Sequence, residues 1–198
     1  MERMRPLLPS QLTDCQLSQL EALSKGSIIY TQGDAAREFY FLQSGLVGLY
    51  HTLENGKESL VRLYHSGDYF GFRTLFGDNR YHCSAKVLQT ADILRLHLQD
   101  KSKFLASNPS LTNALIQQLA VELQDAERRL AQTAYKRSYE RVMETIVSLT
   151  QRYPDYPWTY REIAEFSGCE TETAIRVSRE LKKQGILDGD CRHLKISG

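Results

Sequence analysis

Three kinds of hydrophobic patterning follow one another along this chain of 198 residues. From residue 26 to 98, apolar positions fall in short runs rich in β-branched and aromatic side chains: SIIYTQGD, EFYFLQSGLVGLYHTL, ESLVRLYHSGDYFG, CSAKVLQ and ADILRLHL. The breaks between them, Gly33-Asp34, Glu54-Asn55-Gly56 and Ser66-Gly67-Asp68, carry turn chemistry. Many short strands at this spacing predict an antiparallel barrel or sandwich. The segment before them, Leu12 to Ser24, has the spacing of an amphipathic helix.

From Pro109 the period becomes helical. Pro109 suits the first turn of a helix, with Asn108 placed to cap it. Ile116, Leu119, Leu123, Ala126, Leu130 and Thr133 recur in steps of three and four, flanked by Glu122, Gln124, Glu127, Arg128 and Arg129. Such a stripe either lies on the chain's own barrel or pairs with a second copy. Its narrowness and the polar faces beside it favour the two-chain coiled coil. A second helix is expected over 138–151, ending before the loop Tyr153-Pro154-Asp155-Tyr156-Pro157.

The third pattern is TYREIAEFSGCETETAIRVSRELKKQGI, from Thr159 to Ile186. Ile163 and Ala164 form the inner face of a short helix, and Gly168 supplies a turn. Cys169, Ala174, Val177 and Leu181 continue the inner face through a second helix. Its outer face carries Thr171, Glu172, Thr173, Arg176 and Arg179. A short helix exposing these side chains near its N-terminal end suits the DNA major groove, whose base edges present donors and acceptors. The plainer alternative is a helical hairpin with a solvated face. Turn glycine, small Ala164 and apolar spacing occur together, which favours DNA. After Gly185, ILDGDCRHLKIS reads as strand, Asp-Gly turn and strand, the hairpin of a winged helix.

Composition narrows the setting. No apolar run approaches the roughly 20 residues needed to span a bilayer. The start, MERMRPLLPSQL, lacks the apolar core of a signal peptide. Cys15, Cys83, Cys169 and Cys191 are scattered, which fits a reduced cytoplasm rather than a disulfide framework or zinc ribbon. The formal net charge is +1, and from Ser138 onward nine Lys and Arg face ten Asp and Glu. Affinity for DNA must therefore come from how charges are arranged. No nucleophile motif or phosphate-binding glycine loop suggests an enzyme.

The order of barrel, long helix and winged helix-turn-helix resembles the Crp/Fnr family of bacterial transcription regulators over almost the whole chain. Gly67-Asp68-Tyr69-Phe70-Gly71 with Leu75-Phe76 resembles that family's cyclic-nucleotide-binding segment, and Gly168 through Arg176 resembles its recognition helix. The resemblance implies an α+β fold: a jelly-roll β-barrel sensor over 1–108, a dimerisation helix over 109–135, and a winged helix-turn-helix over 136–198. It implies double-stranded DNA as partner, a homodimer meeting through Ile116, Leu119, Leu123, Ala126 and Leu130, and contact with RNA polymerase. By the same resemblance Glu172 and Arg176 read bases. The chemistry agrees, because a guanidinium can donate two bonds to guanine and a carboxylate can accept from cytosine. Spaced i,i+4, the two project from one face, and a simple intrahelical ion pair is the bland reading of them. Thr171 stands where the cyclic-AMP branch has a further base-reading Arg, so a different half-site is expected. Thr173 and Arg179 are candidate phosphate contacts, whereas Lys182 and Lys183 read as a solvated helix end. The segment Ala134 to Tyr139 is the expected hinge.

The sensor segment departs from the family. Phe72 occupies the slot of the ribose-binding Glu, and Cys83 that of the phosphate-binding Arg. Only Ser84 and Gly71 match, and Ala126 and Glu127 fall where small hydroxyl residues meet the adenine. Arg73 and Arg80 lie near but not at the matching position. A buried phosphate without cation or donors is costly, so usual cyclic-AMP binding is not expected. Phe70, Phe72 and Phe76 either fill the cavity or, with Gly71, Arg73, Cys83 and Ser84, line a pocket for another small-molecule effector. No cofactor is expected: one N-terminal cysteine does not make an iron–sulfur site. Two rival readings are a cyclic-AMP- or cyclic-GMP-responsive regulator with a variant pocket and a cupin-like metal-binding barrel. The latter needs His-x-His, and His51, His65, His82 and His97 are widely spaced.

Overall fold

The computed structural model describes residues 8–188, 195 and 196. The chain forms two compact units, Met1–Glu54 with Arg62–Asp125, and Asn55–Val61 with Ala126–Gly198.

The first unit is built on an antiparallel six-stranded sheet. Its strands are β1 (Gln16–Leu23), β2 (Ile28–Tyr30), β3 (Glu38–Thr52), β4 (Glu58–His65), β5 (Tyr69–Phe70) and β6 (Ser84–His97). The order is β1-β6-β3-β4, with β2 joined to β6 and β5 to β3. The runs CSAKVLQ and ADILRLHL belong to one long strand, β6. It pairs with β3 from Glu38↔His97 to Tyr50↔Ser84, with register shifts between Leu42 and Val47. Gly45 sits there at φ 96°, and a Cβ on it would lie 2.4 Å from Thr90 O. The backbones of β3 and β6 meet too closely for any side chain, and the bulge bends the long pair.

The expected helix over Leu12–Ser24 is instead strand β1. Its bulge explains the misreading. Leu20 pairs with Ile93 and Leu23 with Ala91, so three steps on β1 match two on β6, with Ala22 at φ 49°. Leu17, Leu20 and Leu23 thereby acquire a helical spacing within a strand.

Helix α1 (Lys101–Ser107) and helix α2 (Pro109–Tyr135) follow the sheet. Asn108 is not a side-chain cap for α2. It ends α1, and its amide is spent on Thr13, accepting from Thr13 N (3.1 Å) and donating to Thr13 O (2.9 Å). Leu111 and Leu115 of α2 are buried against Phe39, Phe41, Tyr69, Phe72, Leu96 and Phe104, with Leu119 partly covered by the same cluster. So α2 does lie on its own sheet, but through a stripe other than the one anticipated.

The second unit contains α3 (Ser138–Arg152), α4 (Tyr160–Ser167), α5 (Thr171–Lys183) and the antiparallel pair β7 (Leu187–Asp188) and β8 (Lys195–Ile196). The turn expected between β7 and β8, with Cys191, lies outside the described residues. Val142, Ile146, Leu149, Trp158, Ile163, Ala174, Val177, Leu181 and Leu187 form the buried interior. Trp158 is held edge-on by Tyr156, with ring centres 4.5 Å apart. The strand residue Ser59 belongs to this unit through its hydroxyl, which donates to Glu165 O.

A candidate DNA-reading face and an altered sensor interior

Two local devices fix the helix-turn-helix. Thr159 and Glu162 form a capping box at the start of α4. Glu162 is buried and accepts from Thr159 N (2.9 Å), Thr159 Oγ1 (2.9 Å) and Tyr156 Oη (2.6 Å). At the other end Gly168 adopts φ 65°, and Cys169 N donates to Ala164 O at 3.0 Å. Cys169 is therefore in the turn rather than on the second helix.

Arg141 of α3 braces that turn. Its guanidinium donates to Ser167 O (3.2 Å) and Gly168 O (3.3 Å), and also to Lys136 O (2.8 Å) in the α2–α3 connection. One side chain thus ties the expected hinge to the turn that aims α5. Arg129 adds a bond to Phe166 O (2.7 Å) and lies over the Phe166 ring.

Helix α5 buries Ala174, Val177, Ser178 and Leu181. Glu172, Arg176 and Arg179 are exposed on the other side, with Thr171 and Thr173 half-buried at its start. Ile175, Glu180 and Lys183 complete this face. Among the described residues Glu172 and Arg176 form no ion pair with each other, and neither is tied to another side chain. Both stay available to an outside partner.

The anticipated seam of α2 is open. Ile116, Leu123 and Leu130 are 49%, 60% and 73% exposed, and Ala126 is exposed as well. Leu119 is half-buried because it also touches the sheet-side cluster.

The sensor interior is filled by rings. Tyr81 stacks on Tyr30 at 3.9 Å between centres, Tyr30 on Tyr40 at 5.5 Å, Tyr40 on Phe70 at 5.2 Å, and Phe70 on Tyr64 at 5.5 Å. Burial holds the Tyr30 and Tyr64 hydroxyls far above the ordinary phenol range, so both stay protonated. Phe72 is buried as well, in the core beneath α2, whereas Phe76 is exposed and fills nothing. The space left among Tyr30, Leu49, Tyr64, Gly71, Phe72, Arg73, Thr74, Tyr81 and His82 is about 10 Å³. That is at most one water, against some hundreds of Å³ in a typical ligand site.

Beside this space a charged cluster closes the interior, and it corrects the reading of Glu122 as a solvated flank. Glu122 on α2 is only 3% exposed. Arg73 Nη2 lies 3.4 Å and Arg62 Nη1 3.6 Å from Glu122 Oε2. Gln118 Nε2 donates to Oε1 at 2.9 Å, and Arg62 Nη2 donates to the main-chain oxygen of Glu122 at 3.2 Å. Arg73 thus reaches the interior although it lies outside the family's phosphate-binding position, while Arg80 turns away to Gly33 O (2.7 Å). Ala126 and Glu127, expected near a ligand, are exposed.

Arg73 Nη1 also donates to His82 Nε2 at 2.9 Å. Loss of solvent around the imidazole, then the Arg73 charge, push its pKa down to about 4, so the ring accepts this bond as a neutral base. His82 and Cys83 lie in a bend just before β6; His82 keeps part of its surface in water, so its ring is only partly desolvated, while Cys83 is buried. Burial pushes the Cys83 thiol up to about 11, which suits packing rather than redox chemistry. Ser84 is buried too, and its hydroxyl accepts from Gln32 N at 2.9 Å. Among the described residues no group of three His, Cys, Asp or Glu side chains is placed to hold a metal ion. None of the described helices is long and apolar enough to cross a membrane.

The signal for Glu122 was present in the chain. Leu111, Leu115, Gln118 and Glu122 are spaced four, three and four apart, so a carboxylate ends an otherwise buried stripe.

Residues 20–108 match the family model described as cyclic nucleotide-binding domain. The chain is 54% identical over 116 residues to an uncharacterized protein of Haemophilus influenzae, spanning 59% of this chain and 90% of that protein. It is 25% identical over 202 residues to the cAMP-activated global transcriptional regulator CRP of the same organism, spanning 98% of this chain and 89% of that one. Among solved structures, the c-di-GMP-responsive global regulator CLP of Xanthomonas campestris matches with a TM-score of 0.82 at 18% identity, over 93% of this chain and 95% of that one.

Proposed function

Because this chain belongs to the Crp/Fnr family of DNA-binding transcription regulators, we propose that it acts as a homodimer on a pseudo-palindromic duplex without control by cyclic AMP. Residues 1–108 serve as the sensor, 109–135 as the dimer helix and 136–198 as the DNA-binding part. The observation that carries the reading is the exposed face of α5, whose Glu172 and Arg176 form no ion pair among the described residues, set on a firmly capped turn. Arg176 donates two parallel bonds to a guanine and Glu172 accepts from a cytosine. Thr173 and Arg179 hold the phosphates nearby, and Thr171 faces the DNA at a position where the cyclic-AMP branch has a base-reading Arg.

Two copies pair through Ile116, Leu119, Leu123, Ala126 and Leu130, whose exposure on α2 supports an apolar seam. The two reading helices then enter successive major grooves about 34 Å apart. Independence from cyclic AMP is supported by a ring-filled interior, by Phe72 and Cys83 in place of the polar ligand residues, and by a space of about 10 Å³. The protein works in the cytoplasm alongside RNA polymerase.

Recovery of genomic fragments bound by the purified protein tests the reading, with calorimetry against cyclic AMP and cyclic GMP beside it. The expected outcome is one enriched inverted repeat containing G·C pairs and no heat of nucleotide binding. A flat fragment distribution would refute the DNA reading, and micromolar nucleotide binding would refute independence from cyclic nucleotides.

A further inference from the structure

The cluster around Glu122 has no part in reading DNA, yet it places three charges in and beside the interior of the sensor. Burying ion pairs seldom stabilises more than apolar packing would, so stability alone does not account for it. Its geometry is that of a site for one carboxylate. Two guanidinium groups converge on Oε2, and an amide takes Oε1. Arg62 also grips the main chain of the helix that carries the carboxylate. The guanidinium groups outnumber the carboxylate by two to one, and His82, held neutral, adds no charge. The Nε atoms of both arginines are buried and have no hydrogen-bond partner among the described residues. The small space lined by Arg73 and His82, about 10 Å³, is too small for a further anion.

We propose that the Arg62–Arg73–Gln118 constellation is an anion-binding site whose resident ligand is the protein's own Glu122, a tethered carboxylate that fastens α2 to the sheet and removes the need for a diffusible nucleotide. The inference deepens the proposed reading of the chain as a nucleotide-independent regulator and rests on it. Its distinctive consequence concerns ligand class. When the tether is cut, the vacated place takes a small free monocarboxylate.

The test is chemical rescue of the full-length protein. Glu122→Ala is followed by thermal unfolding in sodium acetate or formate, with sodium chloride at equal ionic strength as reference. The variant is expected to melt lower than the parent and to regain roughly 3 °C or more, saturably, with acetate or formate but not with chloride. The parent should not respond, and Glu122→Ala combined with Arg73→Ala should lose the rescue. Equal response of parent and variant, or none in either, overturns the proposal. Should Glu122→Ala not fold, Glu122→Gln keeps the shape and removes the charge. Amide exchange at 118–123 should then quicken, and unchanged protection overturns the proposal equally. DNA binding by the parent without nucleotide is measured in parallel. Failed rescue with intact DNA binding sinks the tethered anion alone, and successful rescue without DNA binding sinks only the DNA reading.

Discussion

Replacing Arg176 with alanine isolates the chemistry proposed for the reading helix. The side chain is exposed and makes no ion pair or hydrogen bond among the described residues, so its removal should change folding stability by no more than about 0.5 kcal/mol. A bidentate bond from arginine to guanine contributes about 1–3 kcal/mol of discrimination. A two-fold dimer presents the group twice, so the cognate site should lose about 2–6 kcal/mol, roughly 30-fold to 10⁴-fold in Kd. Fluorescence anisotropy on the recovered duplex, and on one with the contacted G·C pair replaced, gives both affinity and preference. The variant should bind the two duplexes almost alike, while the parent separates them. Titration between 50 and 200 mM salt supplies an independent discriminator. A base contact leaves the slope of log K on log salt intact, whereas loss of two phosphate contacts lowers it by about 2. Equal weakening on every sequence together with a reduced slope would refute base reading by Arg176.

Leu123, 60% exposed at the middle of the seam, should report on pairing. Leu123→Asp is expected to sediment as a monomer and to melt lower by the stability that pairing contributes, and an undisturbed dimer would remove the coiled-coil argument. His82 should leave a signature in pH-dependent stability. Its pKa of about 4 lies below the ordinary 6.5, through loss of solvent and then the charge of Arg73, with His51 and Arg62 acting the same way and Asp78 opposing. Below pH 6.5 the unfolded chain takes up a proton that the native ring refuses, so stability falls as pH drops from 6.5 toward 4 and is fully retained above that window. His82→Gln should flatten this part of the curve in urea unfolding; an unaltered slope would show that the ring titrates normally.

What could be read from the chain depended on whether a local rule decided the outcome. The helix-turn-helix was legible because its signals are local: a turn glycine at 168 and apolar residues spaced for two crossing helices. Strands β2 to β5 were legible through the glycine and Asn-Gly breaks between them, whereas the two runs read at 83–89 and 91–98 are one continuous strand, β6. Leu12–Ser24 misled because a bulge gives strand β1 the spacing of a helix, and only the partner strand reveals it. The sensor interior was the least legible part. Phe72 and Cys83 mark departures from the family's residue pattern, but what fills the space comes from Tyr30, Tyr40, Tyr64 and Tyr81 on separate strands and loops. Their stacking is set by how distant strands and loops come together, and no spacing along the chain encodes it. Glu122 was missed because α2 was given a single stripe, so a residue beside the seam was sent to solvent.

Helix α2 carries two rows of side chains at a fixed angular phase, one packed on the sheet and one exposed. By helical pitch, the row Leu111, Leu115, Glu122 and the row Ile116, Leu123, Leu130 lie roughly 100° apart. Inserting or deleting one residue between Leu115 and Glu122 would rotate everything downstream by that same angle. Leu111 and Leu115 would keep their places while Glu122 swung out toward water. Evolution can lengthen the hairpins of this protein far more easily than it can change the count of residues along that one rod.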